Sequence, residues 1–149
     1  MSIVIVTGTS TGIGQATAMT LARSGHTVFA GMRNLERGGE LREIASNENL
    51  PITIVQLDVD SDSSVEDAFK HIFRDAGQID VLINNAGIGA RGPIELVPID
   101  SFRKAMETNF FGALRCIKAV VPSMREKRSG CIIDISSVAG RFGMAIQGP

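Results

Sequence analysis

Three glycines spaced Gly8-x-x-x-Gly12-x-Gly14 stand between the apolar, β-branched run Ile3 to Val6 and the segment Gln15 to Ser24, which reads as a helix. A strand, a glycine turn and a helix start make a place for an anion, because a helix's first turn carries free N–H groups and a partial positive charge. Gly8 would let the chain turn sharply, Gly12 would let backbone amides approach a phosphate, and Gly14 would let the helix sit close on the sheet. Ser10, Thr11 and Ile13 fill the turn between them. The spacing lacks the Lys-Ser/Thr pair of a P-loop, which argues against a nucleoside triphosphatase. Taken alone, the cluster is either a structural turn or a pyrophosphate site.

Four other polar groups interrupt apolar runs. Arg33 follows a second strand, Thr27 to Ala30, with no acid before Glu36. An arginine there suits the 2′-phosphate of NADP, where an acid would suit the ribose of NAD; its alternative is a solvated loop charge. Asp58-Val59 ends a third strand, Ile52 to Leu57, where the carboxylate either caps local backbone or accepts from a ligand. Asn84-Asn85-Ala86-Gly87 ends a fourth, Ile79 to Ile83, and the two amides need partners from a turn or a ligand. Ser136-Ser137 ends a fifth, Cys131 to Ile135.

Helices must position these groups. Ser63 to Glu66 fits a capping box opening an amphipathic helix, and Leu35 to Asn47 gives a more modest one. Asp100 is the expected N-cap of a long helix running towards Lys127, with the apolar stripe Phe102, Ala105, Met106, Phe110, Ala113, Leu114, Ile117, Val121 and Met124. Asn109 falls within that stripe, so its amide is either satisfied in the core or faces a polar cavity. The segment from Val138 to Pro149 is glycine-rich and reads as a loop.

Five strands alternating with helices predict a single α/β domain over residues 1–149, a doubly wound parallel sheet with helices on both faces and right-handed crossovers. Ligands bind such sheets outside the carboxyl ends of the strands, and each of these polar groups falls at such an end or in the stripe. The composition fits a globular α/β protein, with 44% apolar residues, 21% charged residues and 16 glycines. A net charge of −1 gives no footprint for nucleic acid, and no apolar run reaches the length of a membrane span. Cys116 and Cys131 lack metal-ligand spacing and are expected as buried free thiols, which suits a cytoplasmic protein. No metal site is expected.

Thr7-Gly8-Thr9-Ser10-Thr11-Gly12-Ile13-Gly14, Asp58-Val59, Asn84 to Gly87, Asn109 and Ile135 to Gly140 together resemble the classical short-chain dehydrogenase/reductase family across essentially the whole chain. Gly31 to Leu35 and Asn85 to Gly89, with Gly92 to Glu95, look most like its hydroxysteroid/retinol dehydrogenase branch. The resemblance implies a Rossmann-type fold, a dinucleotide-binding domain over residues 1–149, and hydride transfer between NAD(P) and an alcohol or carbonyl carbon. It places the glycine turn (Gly8, Ser10, Gly12, Ile13, Gly14) on the pyrophosphate, Thr11 and Arg33 at the 2′-phosphate, Asp58 and Val59 at the adenine, and Asn85, Ala86 and Gly87 at the adenosine ribose. Asn109 would anchor a water of the proton relay and Ser137 would hydrogen-bond the substrate oxygen. NADP(H) is the expected cofactor, with NAD(H) the alternative; a small alcohol or ketone is the expected substrate, and the complete protein is expected to form a homo-oligomer.

The family's proton donor is a tyrosine in a Tyr-x-x-x-Lys segment, and this chain contains no tyrosine. That segment is expected at or just beyond Pro149, making the sheet incomplete on its C-terminal side and the 149 residues inactive alone. His26 and His71 read as surface residues rather than substitutes. The alternative is a non-catalytic dinucleotide-binding or regulatory module.

Overall fold

The apolar runs become five strands: β1 (Ile3–Thr7), β2 (Thr27–Met32), β3 (Ile52–Gln56), β4 (Val81–Asn84) and β5 (Cys131–Asp134). The computed structural model describes residues 1–143, so of the expected terminal loop residues 144–149 lie outside the described residues. All strand pairs are parallel, in the order β3-β2-β1-β4-β5. This is the Rossmann-type arrangement, with β1 central and the order reversing between β1 and β4.

Alternate residues of β1 serve opposite faces. Val4 and Val6, with Val28 and Ala30, pack under α1 (Gly12–Arg23) and α2 (Gly39–Asn47), where Ala18, Ala22 and Leu41 close the layer. Ile5, with Phe29, Val55 and Leu82, packs under α3 (Asp62–Ala76) and α5 (Ala113–Lys127) through Phe69, Ile72, Cys116 and Val120. Strands buried on both faces explain why the sequence shows continuous apolar runs rather than alternation. Burial pushes the Cys116 thiol up to about 12, so it behaves as a small hydrophobe.

Several local expectations are corrected. The cap of α3 is Ser61, extended at φ −121°, whose Oγ accepts from Ser64 N–H at 3.3 Å; Ser63 lies inside the helix. Ser61 wins because its extended backbone aims the hydroxyl at the first turn, while Ser64 turns its own hydroxyl to Asp58 N–H at 2.9 Å. Pro98, not Asp100, precedes α4 (Ile99–Met106), and Asp100 pairs with Arg103 at 2.7 Å instead. Cys131 is exposed because β5 is an edge strand.

The largest departure is the long helix. It runs as α4, a π-helical segment over Glu107–Gly112, and α5. A π turn holds more residues than an α turn and so shifts the phase of the buried face. The buried positions are Ala105, Thr108, Gly112, Cys116, Val120 and Met124, while Met106, Phe110 and Leu114 of the expected stripe are at least 40% exposed. Gly112 must be a glycine here, since a Cβ would stand 2.7 Å from Val59 Cγ2.

At the amino-terminal end of the strands, Asp80 ties the start of β1 to the end of α5. Its carboxylate accepts from Ile3 N–H at 2.8 Å, Lys127 Nζ at 3.1 Å and Gln78 Nε2 at 3.2 Å. The Ile3 hydrogen bond, with Lys127 and Gln78, holds the Asp80 pKa below the usual carboxylate range despite partial burial. A depressed pKa stabilises the fold above the unfolded-state value and loses that contribution as pH falls through the folded one. Asp80→Ala should cost about 1–3 kcal/mol at neutral pH, the range for hydrogen bonds to a charged group. Urea unfolding should show the gap from the parent chain closing below the ordinary carboxylate range.

Candidate functional site

The site is built where β1 and β4 part. Thr7, buried at the end of β1, accepts with its Oγ1 from Asn85 N–H at 3.0 Å and Ala86 N–H at 2.9 Å. Asn85 answers with its Nδ2, donating to the carbonyls of Thr7 at 2.9 Å and Gly8 at 3.1 Å. These side chains thereby serve four backbone groups, two on each side of the crevice. Gly8, at φ +70°, lies so close to this segment that a Cβ would stand 2.7 Å from Ala86 Cα. A Cβ on Gly14 would collide with Asn85 Nδ2 and stand 2.5 Å from the Gly8 carbonyl oxygen, so the third glycine packs the helix against the turn itself.

Gly12 is different: φ is +64° and nothing stands within 4 Å of a Cβ position, leaving open space over the helix start. Thr11 is the N-cap of α1 but makes no side-chain cap hydrogen bond, and the first turn carries no acid. Ile13 is 66% exposed. An uncapped, acid-free helix start beneath a glycine is a fit for a pyrophosphate, which would accept from those N–H groups. The turn is fixed to β2 by Thr9, whose N–H and Oγ1 both donate to the Gly31 carbonyl, at 3.0 and 3.1 Å. Arg33 follows two residues on, exposed and without an ion pair among the described residues.

Beyond β3, Asp58 is half-buried; its Oδ1 accepts from Asp60 N–H at 3.2 Å, and its Oδ2 has no partner among the described residues. The local-cap and ligand readings thus divide between its two oxygens. Val59 is buried beneath Gly112.

A cleft of about 750 Å³ runs from the start of α1 past the end of β4 to the end of β5. It brings together Ile13, Asn85, Ala86, Gly87, Asn109 and Ser137; Gly8, Ser10, Thr11, Gly12, Gly14, Arg33, Asp58 and Val59 do not line it. Those eight lie along the rest of the rim, in the turn after β1 and at the ends of β2 and β3. Asn109 is exposed within the cleft rather than in the core, because the π segment has rotated it there. Its Oδ1 accepts from Ile88 N–H and its Nδ2 donates to Ile88 O, both at 2.8 Å, which leaves one amide hydrogen free. Ser137 Oγ accepts from Ala139 N–H at 3.2 Å, so its own proton remains available to an acceptor in the cleft. Asn84, also lining it, donates to Asp134 Oδ1 at 2.8 Å, and its buried Oδ1 has no partner among the described residues.

Neither histidine lines the cleft. His26 is half-buried, accepting from Ser2 N–H at 3.2 Å, and His71 sits beside Asp75 on α3. No cluster of three metal-ligating side chains occurs among the described residues, and none of their helices is long and apolar enough to cross a membrane.

A family model described as short chain dehydrogenase matches residues 2–149. The chain belongs to the short-chain dehydrogenase family. Within it, the chain is 44% identical over 149 residues to retinol dehydrogenase 8 of Bos taurus, covering 97% of this chain and 47% of that protein. It is 39% identical over 147 residues to a 3-ketodihydrosphingosine reductase of Bacteroides thetaiotaomicron, covering 98% and 51%. A gluconate 5-dehydrogenase from Burkholderia cenocepacia, solved in complex with NADP and tartrate, superposes with a TM-score of 0.90 at 28% identity, covering 99% of this chain and 58% of that one. The chain spans about half the length of the curated short-chain dehydrogenases it matches.

Sequence reasoning missed Thr7, a polar residue ending a fully buried strand, whose position was itself the signal. It also missed Asp60 and Thr108, which meet at 3.0 Å. Thr7→Val keeps the shape but strands the Asn85 and Ala86 N–H groups; it should cost about 1–3 kcal/mol in chemical denaturation, with Thr7→Ser restoring most of it.

Proposed function

We propose that the protein is an NADP-preferring oxidoreductase that moves a hydride between the nicotinamide and the carbinol or carbonyl carbon of a small alcohol or ketone. The observation that carries this reading is the uncapped, acid-free start of α1 under Gly12, at the point where the strand order reverses, with Arg33, without an ion pair among the described residues, at the neighbouring strand end. The glycine turn would hold the pyrophosphate, Thr11 and Arg33 the 2′-phosphate, Asp58 and Val59 the adenine, and Asn85 to Gly87 the adenosine ribose. Once bound, the nicotinamide carries the hydride.

The chain's own groups act on the oxygen. Ser137 donates its free proton to the substrate oxygen, stabilising charge that develops there. Asn109 holds a relay water through its remaining amide hydrogen. The retinol dehydrogenase and ketoreductase names among the relatives, and the NADP in the gluconate dehydrogenase structure, support this reading. The apolar exposure of Met106, Phe110, Phe111 and Leu114 supports self-association of the complete protein.

The alternative is a non-catalytic dinucleotide-binding module, which would use the same glycine turn and Arg33 without turnover. Ketone-dependent oxidation of NADPH by the full-length protein separates the two. Turnover establishes the enzyme; tight NADP binding with no turnover on any ketone establishes the module.

Arg33→Ala should weaken NADP binding by about 1–3 kcal/mol, as for a charge-assisted hydrogen bond, and leave NAD nearly unchanged; equal losses in calorimetry would sink the 2′-phosphate assignment. In the active full-length protein, Ser137→Ala should lower kcat by about a hundredfold or more, the effect of removing one oxyanion donor. Loss of NADPH affinity instead would show that Ser137 serves the cofactor.

A further inference from the structure

The π-helical segment Glu107–Gly112 touches both loops assigned to the dinucleotide. On one side Thr108, buried, donates its hydroxyl to Asp60 Oδ2 at 3.0 Å, and Asp60 N–H in turn donates to the Asp58 carboxylate at 3.2 Å. Gly112 backs directly onto Val59, and Arg115 donates to the Val59 carbonyl at 3.3 Å while pairing with Glu107 at 2.6 Å and with Asp62. On the other side Asn109 holds both backbone groups of Ile88, immediately after Asn85 to Gly87. Thr108 and Asn109 are adjacent, so a displacement of one carries the other. In a regular α-helix adjacent side chains diverge by ~100°, and here that divergence aims one at each loop.

The polar link is not replaceable locally. Asp60 Oδ1 is buried without a partner among the described residues, so the Thr108 hydroxyl supplies the carboxylate's one side-chain donor there. Removing it would leave a half-buried carboxylate poorly satisfied, and the loop would move to find water.

We propose that Thr108 is a positioning residue for the dinucleotide site, fixing the π segment to the Asp58–Asp60 loop so that Asn109 holds Ile88 in its ordered place. The cofactor consequence rests on the dinucleotide reading given above; the positional consequence does not. Thr108 touches neither the substrate nor the cofactor and acts through Asp60 and Asn109.

The test compares the parent chain with Thr108→Val and Thr108→Ser by amide hydrogen exchange and by NADPH fluorescence titration. Ile88 N–H reports the link, and Asn85 N–H, held independently by Thr7, reports the rest of the crevice. Thr108→Val should speed exchange at Ile88 by about tenfold and leave Asn85 unchanged, with Thr108→Ser restoring the parent rate. NADPH affinity should fall about tenfold in the valine variant and recover in the serine variant. Equal acceleration at Ile88 and Asn85, no change at Ile88, or failure of serine to restore it would each overturn the proposal. If the parent chain binds no NADPH, the dinucleotide reading falls with the cofactor consequence, and the exchange pattern still decides whether Thr108 positions Ile88.

Discussion

Where two central parallel strands part company, the backbone groups beyond the ladder need partners from side chains or solvent. Everything notable in this molecule follows from how that problem is solved between β1 and β4. Thr7 and Asn85 exchange side-chain hydrogen bonds across the gap, and each serves the other strand's main chain. The exchange requires the two loops to touch, which excludes a side chain at Gly8 and Gly14. With the turn held so tightly, the start of α1 is fixed in direction, and its N–H groups open onto the rim.

The same tightness separates the roles of the three glycines. Gly14 is fixed by packing and Gly8 by packing and a positive φ together, while Gly12 has a positive φ with open space above it. Under the proposed function, a structural turn and an anion site are not competing accounts of the motif, since different glycines answer to each. The polar residues behave similarly. Asp58 caps its own turn with one oxygen and keeps the other free, and Ser137 caps a short helix with a lone pair while keeping its proton.

Much of this was legible in the sequence because it is local. Ile3 to Val6 and Ile79 to Ile83 announced buried strands, and the rim residues could be placed by counting from the strand ends. Illegible were the features that depend on distant partners. Thr7 finds its acceptor role with a residue 78 positions away, and Thr108 meets Asp60 across 48. The stripe through Met106, Phe110 and Leu114 misled because a π turn inserted at Glu107–Gly112 rotates the face, and Val59, pressing on Gly112, is invisible to periodicity. Cys131 looked buried from its neighbours, yet its exposure is decided by its place at the sheet edge.

The strand order also has a consequence in time. β1 pairs with β2, and β2 with β3, across short intervening segments, so this half of the sheet can assemble from contacts nearby in the chain. The other side of β1 must wait for β4, reached only after the long excursion that separates Thr7 from Asn85. Closing the longer loop costs somewhat more entropy than closing the β1–β2 connection, which favours this pairing coming second. On a ribosome, the emerging chain would therefore present a half-sheet with the bare edge of β1 exposed until Asn85 appears. The crevice between Thr7 and Asn85 therefore exists only once the middle of the chain has been made and folded.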